Sequence, residues 1–150
     1  MREAIAVERQ SSNAWNGDYE GPRKQTVLLV EDEDMVRELM CEVLEREGYE
    51  VLACGHPAEG IEVSKRLGRQ IDLLLTDVVM PGMNGREMAD RIHTILPQLR
   101  VVFMSGYTEH ALTQNGQVDP EVEYLQKPFT LQALTQKLDK VLGNLDNQAG

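Results

Sequence analysis

The 150-residue sequence contains no apolar run near the roughly 18 residues needed to cross a bilayer. Its first 25 residues hold no basic region leading into a long apolar stretch. They therefore do not read as a secretory signal, and the cytoplasm is the expected location. Cysteine is scarce. Cys41 and Cys54 lie far apart, without a C-x-x-C pair or a histidine at metal-ligand spacing, which leaves no basis for a disulfide scaffold or a thiolate metal site. Two buried free thiols are expected instead. A basic excess is missing as well: 15 Lys and Arg face 25 Asp and Glu, for a net charge of -10. Residues 1–25 carry four acids and four bases, so the remainder carries the entire imbalance. A nucleic-acid surface needs a basic footprint, so no direct nucleic-acid contact and no membrane contact are expected. Basic partners or cations suit the charge better.

What is present is an apolar fraction of 41%, enough for a real core in one domain. Residues 1–25 are polar and without sustained periodicity, and read as a flexible tail or linker in which Trp15 and Tyr19 have no assigned role. From there, strand and helix patterns alternate. TVLLVE (26–31) is a strand. Residues 34–47 place Val36, Leu39, Met40, Val43 and Leu44 on one helical face, with Asp34 as cap and Gly48 as the stop. YEVLAC (49–54) is a second strand. Pro57 at a first helical position opens a helix to about residue 67. IDLLLT (71–76), apolar at consecutive positions, is a strand buried on both faces. A helix from about 85 to 96 turns Met88, Ile92, Ile95 and Leu96 inward. RVVFM (100–104) is the fourth strand, 108–115 a short helix, and VEYLQ (122–126) the fifth strand. A last helix over 130–143, capped by Thr130, carries Leu131, Leu134, Leu138, Val141 and Leu142. The expected domain spans 26–143, with a tail from 144 to 150.

Such alternation predicts right-handed crossovers and a parallel sheet covered on both faces. Sites on such sheets form outside the carboxyl ends of the strands. There the sequence places Glu31-Asp32 after the first strand, Asp77 after the third, Ser105 after the fourth and Lys127-Pro128 after the fifth. Two carboxylates about 5 Å apart repel by roughly 3 kcal/mol at an effective dielectric near 20. A divalent cation relieves that repulsion, and an all-oxygen site suits Mg²⁺. Beside it, Asp77 could act as nucleophile towards a phosphoryl group, with Lys127 and Ser105 neutralising its oxygens. Pro81, Gly82 and Gly85 turn the following loop away and would leave the carboxylate open.

The segments VEDE (30–33), TDVVMPGMNG (76–85), FMSGYT (103–108) and YLQKPF (124–129), in this order on a five-fold β/α alternation, resemble the response-regulator receiver domain of two-component signalling. The resemblance implies a flavodoxin-like (CheY-like) doubly wound fold, a five-stranded parallel sheet of order 2-1-3-4-5. It implies Asp77 as phosphoacceptor and Lys127 as phosphate-binding lysine, with a cis bond to Pro128. It further implies Asp32 as direct metal ligand, Glu31 as ligand through water and the Val79 carbonyl as backbone ligand for Mg²⁺, with Mn²⁺ able to substitute. Ser105 and Tyr124 match the switch pair, and Tyr107 adds a second aromatic beside them. The implied donor is a histidine kinase or a histidine phosphotransfer protein. The implied output is a changed surface on the fourth helix (108–115), fifth strand and fifth helix (130–143), for a partner or a second copy of the chain. Apolar Val79 and bulky Tyr107, at positions that govern access of water, imply slow loss of the phosphoryl group.

Other readings fit these residues less well. A Mg²⁺-dependent phosphatase with an Asp nucleophile would need a second Asp two residues on, where this chain has Val79. A degenerate receiver that only binds partners would not need the full set of Glu31, Asp32, Asp77, Ser105 and Lys127. His56, His93 and His110 share no motif with other ligands and read as ordinary solvated side chains, and the methionines as core filler. Only NLDNQAG follows the last predicted helix. A stand-alone receiver, the receiver of a hybrid histidine kinase and a regulator with a further output domain stay open. The GPRKQ linker before TVLLVEDE resembles the start of hybrid-kinase receivers and makes that origin the leading expectation.

Overall fold

The computed structural model describes residues 24–106 and 123–143. Within them lie five strands, β1 (Thr26–Val30), β2 (Glu50–Cys54), β3 (Leu73–Asp77), β4 (Arg100–Ser105) and β5 (Glu123–Gln126). Four α-helices accompany them: α1 (Asp34–Arg46), α2 (Pro57–Leu67), α3 (Gly85–Ile95) and α4 (Leu131–Val141). All strand pairs are parallel and the order is β2-β1-β3-β4-β5, as the resemblance implied. The predicted helix at 108–115, Tyr107, His110 and both predicted tails lie outside the described residues, apart from Lys24 and Gln25.

Strand alternation divides the apolar side chains into two cores. Leu28, Val30, Leu52, Leu74, Val101 and Phe103 pack with Val63 of α2 and with Met88, Ala89 and Ile92 of α3. Val27, Leu29, Val51, Leu73, Leu75, Val102 and Met104 pack with Met40, Cys41 and Leu44 of α1 and with Leu134 and Leu138 of α4. The sheet is therefore covered on both faces. This is why the central strands show unbroken runs of Leu and Val rather than polar alternation. Cys41 and Cys54 are buried and form no disulfide, as expected.

Helix ends follow their local chemistry. Gly48, after α1, sits at φ +100°, where a side chain would be strained. Asn84 caps α3 reciprocally: its side chain accepts from the Glu87 amide at 2.8 Å, and Glu87 accepts from the Asn84 amide at 3.2 Å. Thr130 caps α4 as expected, accepting from the Ala133 amide. Asp34 is not the cap of α1. Glu33 holds that position without a side-chain hydrogen bond, and Asp34, the first helical residue, pairs with Arg37.

Three apolar assignments are corrected. Leu39 is 49% exposed, because Cys41 belongs to the buried stripe of α1 and rotates that stripe away from Leu39. Ile95 (36% exposed) and Leu131 (42%) are terminal residues of α3 and α4, with no further helical turn beside them. β3 also begins two residues later than predicted and includes Asp77 itself. No helix of the described residues is long and apolar enough to cross a membrane.

Candidate phosphoacceptor and metal site

Register brings the polar strand ends together. Val30 pairs with Thr76, so Glu31 follows on β1 where Asp77 follows on β3. Asp77 pairs with Met104, just before Ser105, and Ser105 pairs with Gln126, just before Lys127. The Lys127 amide donates to the Ser105 carbonyl at 2.7 Å, which extends the ladder one step and fixes where the lysine leaves the sheet. Its peptide bond to Pro128 is cis.

Asp77 is 3% exposed, so the loop after it does not leave the carboxylate open as the sequence suggested. The Lys127 ammonium lies 2.6 Å from Asp77 Oδ1, an ion pair by distance that lacks the directionality of a hydrogen bond. Glu31, Asp32 and Asp77 each bring a carboxylate oxygen within 4.8 Å of the others, and Asp32 is the most exposed of the three. Glu31 is 1% exposed. Its Oε2 accepts from the Glu33 amide at 3.2 Å, while Oε1 has no hydrogen-bond partner among the described residues. Burial, then the hydrogen bond and charge of Asp77, push the Glu31 carboxyl up from 4.5 to about 8; the Glu33 amide and the Lys127 charge act the other way.

A small divalent cation fits this arrangement. Three carboxylates crowd one place, one buried oxygen among them lacks a partner, and every donor is hard oxygen. Ser105 is fully buried, and its Oγ likewise has no hydrogen-bond partner among the described residues. Val79, two residues after Asp77, is 50% exposed. Tyr124 lies apart from the carboxylates. Its ring stacks on Phe103 with centroids 5.6 Å apart, and its hydroxyl accepts from Arg86 Nη1 at 3.2 Å. Of the histidines, His56 is exposed, but His93 is half-buried and its Nε2 meets the Leu99 carbonyl at 2.9 Å. It ties α3 to the loop after it rather than sitting solvated.

Two arginines that frame the site, Arg37 and Arg86, carry no signal in the sequence, and one glycine, Gly85, has a second role there. Arg37 donates to the Glu31 carbonyl at 2.8 Å and pairs with Asp34, bracing the loop that carries Asp32. Gly85 was read as a turn former, yet a Cβ there would stand 1.9 Å from the Asp77 carbonyl oxygen. Its amide donates to the Val78 carbonyl at 2.7 Å, so α3 begins pressed against the backbone at the end of β3. Arg86 follows directly and reaches Tyr124. Asn84 followed three residues later by Glu87 was a visible signal for where α3 starts; neither arginine had one.

Residues 27–139 match the family model for the response regulator receiver domain. The chain belongs to this family. It is 36% identical over 121 residues to a sensor kinase, CckA, of Brucella abortus (strain 2308), covering 81% of the present chain but only 13% of that kinase. It is also 36% identical over 117 residues to the response regulator receiver protein CpdR of the same organism, covering 77% of this chain and 95% of that protein. Among solved structures, the receiver domain of the hybrid histidine kinase CckA superposes with a TM-score of 0.65 at 30% identity, over 78% of this chain and 98% of that one. The receiver is thus a phosphoacceptor-type signalling domain rather than an enzyme of the usual kind. As a class, receivers bind Mg²⁺ at an acidic pocket and interact with histidine kinases or phosphotransfer proteins.

Proposed function

We propose that this receiver is a phosphorylation-controlled switch that takes a phosphoryl group on Asp77 from a phosphohistidine of a histidine kinase or histidine phosphotransfer protein. The observation that carries the reading is the meeting of Glu31, Asp32 and Asp77 within 4.8 Å with the Lys127 ammonium 2.6 Å from Asp77. Asp77, at the end of a fully buried strand, is held rigidly for attack. A carboxylate oxygen forms the bond to phosphorus as the P–N bond of the donor breaks, and the departing imidazole keeps that electron pair and takes a proton. Asp32 and Asp77 directly, Glu31 through water and the Val79 carbonyl would hold Mg²⁺, or Mn²⁺ in its place. The ion supplies charge neutralisation at the transferring oxygens. Lys127 exchanges its Asp77 partner for a phosphoryl oxygen, and the Ser105 hydroxyl, without a hydrogen-bond partner among the described residues, donates to another.

The Ser105 movement draws Tyr124 after it and alters the face of β5 and α4, where a partner or a second copy binds. The functional unit is residues 26–143, working in the cytoplasm without contact to nucleic acid or membrane. The exposed aliphatic Val79 keeps hydrolysis slow, so Val79→Asn loses its phosphoryl group faster than the wild type.

Acetyl phosphate or beryllofluoride with Mg²⁺ tests the central step. Wild-type protein gains one phosphoryl mass, or shows a beryllofluoride-dependent spectral change, and Asp77→Ala gains neither. An equal response from Asp77→Ala rejects Asp77 as acceptor.

A further inference from the structure

The contacts among Tyr124, Phe103 and Arg86 lie apart from the carboxylates of the phosphoryl site. β4 and β5 pair Phe103 with Tyr124 side by side, and the alternation of both strands turns the two rings to the α3 face of the sheet. There the rings stack at 5.6 Å with an interplanar angle of 28°. The Arg86 guanidinium lies over the same Phe103 ring, 5.7 Å from its centroid, and donates to the Tyr124 hydroxyl at 3.2 Å. Phe103 is 1% exposed in the core, so it serves as the floor on which both groups rest. The arginine has an equally firm base. Its neighbour Gly85 is pressed against the Asp77 backbone, and the Asn84–Glu87 capping box fixes the first turn of α3. A long side chain that leaves a fixed turn and lies on a fixed ring has little freedom. It offers the tyrosine hydroxyl a donor at one place only.

We propose that Arg86 is a positioning residue for Tyr124, a latch that holds the ring on Phe103 in the resting protein and must let go before the ring can move. The latch rests on the reading of Tyr124 as the moving aromatic and assigns what sets its resting population. A charge-assisted hydrogen bond and a shared aromatic floor favour the held position. A ligand of the phosphoryl site spends part of its binding free energy against that preference. Releasing the latch therefore makes the switch easier to throw without altering any group that touches the phosphoryl oxygens.

The test uses the whole chain, in wild-type form and as Arg86→Met, Arg86→Lys, Tyr124→Phe and the Arg86→Met/Tyr124→Phe double variant. Methionine keeps length and helix preference but removes every donor; lysine restores the charge and a donor. Two readouts are taken: NMR contacts between the Tyr124 and Phe103 rings with Mg²⁺ alone, and the beryllofluoride concentration at half-response. Arg86→Met loses ring contacts before any beryllofluoride is added. It then responds at a concentration about three- to tenfold lower, the population shift expected from losing one charged hydrogen bond. Tyr124→Phe gains similarly, the double variant gains no more than either single one, and Arg86→Lys returns part-way to wild type. Unchanged ring contacts in Arg86→Met, or additive gains in the double variant, overturn the latch while the phosphoryl reading stands. A wild type that ignores beryllofluoride overturns the phosphoryl reading, and with it the purpose of the latch, even where the ring contacts change.

Discussion

The two halves of the sheet are built to different tolerances. On the side of β1 and β3, every strand residue is buried, and the carboxylates stand on that foundation. On the side of β5, only Leu125 of four strand residues is buried, and α4 contributes only Leu134 and Leu138 as buried side chains. Asp77 belongs to the first half; Tyr124 and Lys127 belong to the second. On the function proposed above, a carboxylate that must be held still and an aromatic that must move are divided between a thickly packed region and a thinly packed one. Stability is unevenly spread in most proteins, and elements that move come from the weak end.

The sharpest way to break this contrast is at the seam. Gly85→Ala places a methyl group 1.9 Å from the Asp77 carbonyl oxygen and is expected to cost at least about 3 kcal/mol in urea unfolding. Gly82→Ala, at φ +80° with nothing within 4 Å, costs only about 1 kcal/mol from backbone strain. Equal losses would show that the close approach is not what restricts position 85. Within the thin half, Leu134→Ala opens a cavity worth about 2–4 kcal/mol, whereas Leu131→Ala, trimming a side chain 42% exposed, costs well under about 1 kcal/mol. Similar values from the two would erase the distinction between the inner and outer faces of α4.

A smaller effect comes from Glu31. In the fold its carboxyl is raised from 4.5 to about 8, so the native protein keeps a proton there that the unfolded chain has released. Its contribution is present in full below about 4.5 and is lost as the pH climbs to about 8. Glutamine stays neutral throughout. Metal-free Glu31→Gln should therefore gain on the wild type in melting temperature across that window, and Mg²⁺ should close or reverse the gap by stabilising only the wild type. A gap independent of pH would place the Glu31 proton elsewhere. The smallest expected effect is that of Leu39→Gln, within about 0.5 kcal/mol of wild type, since the side chain is 49% exposed on the outer border of α1.

How far the sequence could be read depended on the range of the interaction. Asp77, Glu31, Asp32, Ser105 and Lys127 were legible as one site because βα alternation leaves only one edge where strand ends can meet. Periodicity placed the four described α-helices but misjudged Leu39. It counts apolar residues without knowing which neighbours the sheet will cover, and the small Cys41 shifted the buried stripe. The bonds of Arg37 to the Glu31 carbonyl and of Arg86 to Tyr124 span 6 and 38 residues. They depend on where an element docks, and no local pattern of residues specifies that. The burial of Asp77 was misread for the same reason, because the lysine beside it arrives from a strand 50 positions along the chain.

The contact between Gly85 and Asp77 also bears on how such a site could be transplanted. Glu31, Asp32, Asp77, Ser105 and Lys127 copied onto another parallel sheet would carry the polar groups but not their alignment. Here a helix bears directly on the carbonyl of Asp77, with no side chain in between to act as a cushion. Any shift of that helix is passed to the Asp77 peptide unit. A graft, or a sequence search meant to find working copies, should therefore demand the glycine eight positions after the aspartate as strictly as it demands the acids.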